Sequence, residues 1–250
     1  MSLSIIIPAH NEEHRLAPTL LQYNQFMRKR FGDSFELIVV ANGCTDSTIV
    51  VAAEIASTIP QVKVIDIQEA VGKGGAVLEG FRSAIGQTVA IADADGATTP
   101  GSLINLIDQL DRYDVVIGSR WLSTSRVTRQ QPLKRRLLSR LFNLCVRLLF
   151  NIPYLDTQCG AKAFRADAAK KLASVIIEKH WMFDVDLLLW AEVLNLSVSE
   201  HPVTWADQPG STLRIRSTIY QVVQSLWRMK YRHTKRTAEA LATPLIEVQR

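Results

Sequence analysis

Two aspartates one residue apart, Asp93 and Asp95 in IADADGATTP (residues 91–100), stand just past an apolar run. With the backbone extended beyond Ala92, residues two apart face the same way, so the carboxylates are expected to converge while Ala94 turns inward. Two converging carboxylates need a cation. Hard oxygen ligands favour Mg2+ or Mn2+, ions that join one or two carboxylates to a substrate's phosphates. The competing reading is a turn rich in Asp and Gly.

A phosphate-bearing partner fits the charge distribution. Residues 120–155 contain eight Lys/Arg and no acid, and residues 208–236 contain seven Lys/Arg and no acid, whereas the rest of the chain is acidic on balance. Two confined basic segments point to a polyanionic surface or a set of phosphates, and no nucleic-acid partner is expected, because such binders are more often basic throughout. Within the first segment, residues 133–150 read as one amphipathic helix. Arg136, Arg140, Asn143 and Arg147 form a polar stripe and leucines cover the other side. The charges interrupt it too often for a membrane span, so the expectation is a helix lying in a lipid interface. Residues 217–233 repeat the pattern with Tyr220, Trp227 and Tyr231 suited to the headgroup boundary.

The elements that must position these residues follow from the apolar runs. Residues 3–7, 36–41, 62–67, 88–92 and 114–118 are short and apolar enough for strands buried on both faces, and residues 45–58 and 102–112 have helical spacing. This alternation predicts an α/β fold with a mainly parallel sheet flanked by helices. Ligands of such sheets bind at the carboxyl ends of strands, where PAHNEE, ANGCTDST and DADGATTP all fall. The expected organisation is one catalytic domain over residues 1–212, with a basic amphipathic helix and tail over 213–250. The amino terminus reads as a strand rather than a signal peptide, and a cytoplasmic protein is expected.

Several chemistries are excluded. VGKGGAV (71–77) lacks the Gly-Lys-Ser/Thr ending of a P-loop and carries Val77 where a dinucleotide fingerprint needs its last glycine. It remains a glycine-rich helix start whose N–H groups, with Lys73, suit phosphate. Cys44, Cys145 and Cys159 form neither a disulfide framework nor a zinc spacing, and the five histidines show no metal-ligand spacing. Asp46 fits either a ligand or a first-turn charge at a helix start.

SIIIPAHNEE, GKGGAV, ADADGAT, GSR, PLKRRLLSR, DTQCGAKAF, WMFDVDLL and VTWADQPGSTL occur in this order between residues 4 and 213. Together they resemble the inverting family 2 glycosyltransferases of the GT-A fold, a Rossmann-like nucleotide-diphospho-sugar transferase fold, and among them the dolichyl-phosphate β-glucosyltransferases and mannose synthases. The resemblance implies that Asp93 and Asp95 hold Mg2+ or Mn2+ and the donor diphosphate, and that Pro8, Ala9, Asn11 and Glu12 line the nucleoside pocket. Where relatives carry an acidic pair after the second strand this chain has Asn42, which would meet the base through its amide. Arg120, Arg135 and Ser139 would hold the acceptor's phosphate. Asp156 and Asp184 would line the sugar and acceptor region as a base or as acceptors for sugar hydroxyls, and Arg214 would reach the diphosphate.

The expected activity is transfer of a hexose, glucose from UDP-glucose, from a nucleotide-sugar donor to a polyprenyl or dolichyl phosphate by an enzyme peripheral to the cytoplasmic membrane face. A GDP-mannose donor and a hydroxyl acceptor are the alternatives. A phosphate acceptor is largely ionised at neutral pH and needs cations more than a base, whereas a hydroxyl acceptor needs a carboxylate to take its proton.

Overall fold

In the computed structural model, which describes residues 2–208 and 224–233, the first strand β1 (Leu3–Ala9) is apolar along nearly its whole length and lies inside a sheet. It pairs in parallel with β2 (Phe35–Asn42), Leu3 opposite Phe35 through Ala9 opposite Ala41. β2 pairs in parallel with β3 (Val62–Ile67), and on its other edge β1 pairs in parallel with β4 (Thr88–Ile91). The chain therefore crosses to one side through β2 and β3 and returns to the other at β4. Between β1 and β4 lies the switch point where ligands bind in such sheets.

Beyond β4 come β7 (Lys162–Arg165), antiparallel to both neighbours, then β5 (Val115–Ser119) and β8 (Val198–Pro202), giving the order β3-β2-β1-β4-β7-β5-β8. A separate two-stranded ribbon joins β6 (Arg126–Arg129) to β9 (Thr204–Ala206) in parallel. The five predicted strands are present. β7, β8 and the ribbon were not anticipated: they are short, and the apolar signal of β7 is broken by a lysine, Lys162, that is nonetheless fully buried.

Helices α1 (Leu16–Phe31), α2 (Thr48–Thr58) and α4 (Pro100–Ile107) cover one face, where Leu3, Ile5 and Ile7 join Leu16, Leu20 and Leu103 in the core. Ile6 points the other way and meets Gly80 of α3 (Gly72–Ser83), which packs with α6 (Ala166–Val175) and α7 (Phe183–Val193). Thr99 caps α4, accepting from Ser102 N at 3.3 Å, and Pro100 opens it. α4 ends at Ile107, shorter than the expected 102–112, because residues 108–112 form turns. α5 (Leu133–Phe150) has the expected bounds.

The chain divides into two compact units, Met1–Ser211 and Thr212–Arg250. All the elements above belong to the first. In the second, residues 224–233 are helical. Arg214 and residues 217–223 lie outside the described residues.

Candidate functional site

The carboxyl ends of β1 and β2 are tied to each other by side chains. Asn11, in the left-handed region at φ 58°, accepts from Thr45 N through Oδ1 at 2.8 Å. Glu13 accepts from Ser47 N at 2.9 Å, and Thr48 Oγ1 accepts from Glu12 N at 2.7 Å. Asp46 works at the start of α2: its Oδ1 accepts from Thr48 N at 3.0 Å and Oδ2 from Glu13 N at 3.2 Å. Asn42 is buried and donates to Ala9 O at 3.0 Å. That bond commits one of the two Asn42 amide hydrogens to tying β2 to β1. Glu12 is clamped by Arg15, with Nε to Oε2 at 2.7 Å and Nη2 to Oε1 at 2.9 Å. Burial raises the Glu12 pKa, while Arg15 opposes the shift.

The aspartate pair occupies the next strand end. β4 stops at Ile91, and the chain turns, Gly96 N donating to Asp93 O at 3.2 Å with Gly96 at φ 67°. The extended stretch expected through Asp95 is thus a turn, since Gly96 takes a conformation L side chains rarely adopt. The carboxylates stay close nonetheless. Burial, then the charge of Asp93, pushes the Asp95 pKa up. Burial acts the same way on Asp93, but Lys73, followed by Lys162 and Arg120, outweighs it and holds that carboxyl below the usual range. Lys73, in the first turn of α3, reaches Asp93 Oδ1 with Nζ at 2.9 Å. Asp95 Oδ1 accepts from Ala97 N at 3.0 Å, and Asp95 has no ion-pair partner among the described residues. Two neighbouring carboxylates, one without a directly bonded cation among the described residues, fit a hard divalent cation.

Gly160 makes room for this pair. A Cβ there would stand 1.9 Å from Asp93 Oδ2. The same DTQCGAKAF segment supplies two buried ion pairs. Lys162 Nζ donates to Asp184 Oδ1 at 2.6 Å and to Cys159 O at 2.5 Å. Asp156, with no exposed side-chain surface, accepts from Arg120 Nε at 2.7 Å, Arg120 Nη2 at 2.8 Å and Arg120 N at 3.0 Å. Asp156 is therefore neither a base nor a ligand for sugar hydroxyls here. All three of those bonds fix Arg120. Burial opposes the charge on Arg120, but Asp156 restores it, and Asp93 adds to the effect.

Arg120 faces a cleft also lined by Trp121, Arg136, Ser139, Arg140 and Trp205. Its guanidinium lies 5.3 Å from the Trp205 ring centroid and 6.0 Å from that of Trp121. Ser139, on α5, lines the same cleft as Arg120. Arg135 does not line the cleft, and Arg136 does: consecutive helical residues are about 100° apart, so the two side chains diverge. Asn143, expected on an exposed polar stripe, is buried. Its Oδ1 accepts from Thr157 N at 2.9 Å and Thr157 Oγ1 at 2.7 Å, and its amide donates to Ser139 O at 3.0 Å.

Residues 4–173 match the family model described as Glycosyl transferase family 2. A dolichyl-phosphate beta-glucosyltransferase of Drosophila melanogaster is 35% identical over 226 residues, covering 85% of this chain and 69% of the relative. The chain belongs to glycosyl transferase family 2. Glycosyltransferase AglD of Haloferax volcanii is 30% identical over 242 residues, 93% of this chain, which spans only 38% of that relative's length. The solved structure of glucosyl-3-phosphoglycerate synthase from Mycobacterium tuberculosis, in complex with uridine diphosphate, superposes with a TM-score of 0.67 at 20% identity, covering 92% of this chain and 80% of that one. This likeness gives the fold of the family 2 enzyme, GT-A with a mainly parallel central sheet. The sequence reading missed Lys162, Gly160 and Arg15 as parts of the site. Lys162 carried a signal, a lone lysine in an apolar run; the others acquire partners only in the fold.

Proposed function

We propose that this family 2 glycosyltransferase moves glucose from UDP-glucose, with inversion, to a polyprenyl phosphate at the cytoplasmic face of a membrane. The observation that carries the reading is the meeting of two opposite charge systems at the carboxyl ends of β4 and β5: Arg120 is close enough to Asp93 for each to shift the other's pKa. Relatives named dolichyl-phosphate beta-glucosyltransferases support the sugar and the lipid.

Pro8, Ala9, Asn11 and Glu12 border the nucleoside side, with the Asn11–Thr45 and Glu12–Arg15 contacts keeping that wall rigid. Asp93 and Asp95 would hold Mg2+ or Mn2+, which would offset charge on the departing diphosphate. Lys73 stands beside them as a further positive charge toward the same phosphates. In the cleft, Arg120, Arg136, Ser139 and Arg140 orient the acceptor phosphate for in-line attack, and Asp156 keeps Arg120 in that orientation. Because the acceptor oxygen is already ionised, no protein base is required. Asp184, held by Lys162, accepts a hydrogen bond from a sugar hydroxyl through Oδ2, the oxygen outside the ion pair.

Membrane docking falls to α5. Leu133, Leu137, Leu141, Leu144 and Leu148 are exposed beside the arginines, and among the described residues no helix is long and apolar enough to cross a membrane. Product analysis with a panel of nucleotide sugars and a short polyprenyl phosphate tests the reading. The expected product, formed from UDP-glucose in the presence of divalent metal, is polyprenyl glucosyl phosphate. Sugar appearing only on hydroxyl acceptors would overturn it.

A further inference from the structure

A second cavity of about 270 Å³, lined by Trp121, Arg140, Asn143, Leu144, Arg147 and Leu155, adjoins the acceptor cleft and shares Trp121 and Arg140 with it. Arg140 and Arg147 are seven residues apart on α5, two turns and about 10 Å along one helix face. The guanidinium of Arg140 lies 6.0 Å from the centroid of the Trp121 ring. Asn143 sits between the two arginines, but its carbonyl oxygen is bonded to Thr157 and its amide to Ser139 O. Arg140 and Arg147 bring the positive charge to this space. Arg147 Nε is itself buried and has no hydrogen-bond partner among the described residues. A buried charged donor without an acceptor is costly, and an anion paired with the Arg147 guanidinium offsets part of that cost. Leu144 and Leu155 make the rest of the wall apolar, and Leu144 and Leu148 lie exposed on α5.

We infer that the Arg140–Arg147 cavity binds one phosphate-bearing anion, the headgroup of an anionic phospholipid lying beside α5, separately from the acceptor phosphate held at Arg120. The site rests on the transfer reading only through Arg140, which borders both spaces; Arg147, the aspartate pair and the Arg120–Asp156 pair are not shared between them. It supplies the docking helix with a specific contact in addition to diffuse attraction, and the arginine fork suits a phosphate's oxygens.

A short-chain phosphatidylglycerol below its critical micelle concentration presents the headgroup without a bilayer's surface potential. Titrated calorimetrically into the full chain, dihexanoyl phosphatidylglycerol is expected to bind saturably at one site. Arg147→Gln should weaken it by about tenfold or more, equivalent to ~1.4 kcal/mol. Arg147→Lys should recover part of the loss. Lys134→Gln, which removes an exposed charge of the same helix away from both cavities, should change the affinity less than about twofold. Inorganic phosphate that competes with equal affinity identifies a free phosphate as the source of the anion; weak competition identifies the headgroup. Absence of saturable binding, or equal losses in Arg147→Gln and Lys134→Gln, overturns the site. The melting temperature of each variant reports its folding. UDP with Mn2+, by its own thermal stabilisation, reads the donor-site proposal independently.

Discussion

At the scale of single residues, Asp93 and Asp95 have the same chemistry and opposite environments. Asp93 is charge-compensated by Lys73, whereas Asp95 is half-buried beside Asp93 with only the Ala97 N–H as a bonded partner among the described residues. The stability consequences have opposite signs. The raised pKa of Asp95 makes the folded chain bind its proton more tightly than the unfolded chain. The stability this supplies is present below the unfolded value, about 3.9, and is lost as pH rises through the folded one. Asp93, with its pKa lowered, contributes stability above that unfolded value, lost as pH falls through the folded one. At pH 7 the ionised Asp95 is therefore a net cost to the metal-free chain. Asp95→Asn is expected to raise the melting temperature of the metal-free chain at neutral pH. The same variant should lose most of the stabilisation that UDP and Mn2+ give the wild type. A thermal-shift series from pH 4 to pH 8 checks both, and a variant less stable than wild type at neutral pH contradicts the electrostatic account. Gly160 supports the same pair sterically, because any side chain there would displace the Asp93 carboxylate.

Among the elements, α5 joins two environments. Its leucines face outward while Asn143 and Val146 are buried, so the helix is fastened to the body along a narrow line. Asn143 is the polar part of that fastening. Through Thr157 it holds the loop whose preceding residue, Asp156, holds Arg120. Glu200 of β8 holds the same loop from the other side, accepting from Leu155 N at 2.8 Å and Asp156 N at 2.7 Å. Asn143→Leu would leave the buried Thr157 N–H and hydroxyl without an acceptor. The expected cost is about 1–3 kcal/mol in denaturant-derived stability. Amide exchange at Thr157 should also accelerate, whereas Asn143→Asp, which retains the acceptor oxygen, should protect it better. Unchanged exchange in Asn143→Leu would mean that the loop is held without this joint.

For the whole molecule, topology decides which distant segments meet. The order β3-β2-β1-β4-β7-β5-β8 sets the ends of β1, β2 and β4 side by side, and the antiparallel β7 brings Gly160 and Lys162 up to the aspartate turn. The exposed leucines of α5 then lie on the helix that borders the arginine cleft, which is why lipid docking and acceptor binding are proposed for one surface. The full chain is expected to float with vesicles containing anionic lipid. Replacing Leu141 and Leu148 by Asp should reduce the floating fraction several-fold, since each change removes exposed apolar area that lipid would cover and adds a repelled charge. Flotation equal to wild type in the double variant would leave these leucines without a role in docking.

The sequence by itself determined the five apolar strands, the bounds of α5, the parallel α/β class and the place of Asp93 and Asp95 at a strand end. These features rest on local periodicity and on residues adjacent in the chain. Only the tertiary structure decided the rest. Asp156 was legible as a carboxylate, but its pairing with Arg120, 36 residues away, depends on β7 entering the sheet between β4 and β5. Arg135 and Arg136 look alike in sequence, and helix phase alone sends one of them into the cleft. Asn143 reads as part of a polar stripe until its loop partner is placed over it, because burial of a polar side chain depends on what the remainder of the chain packs against it.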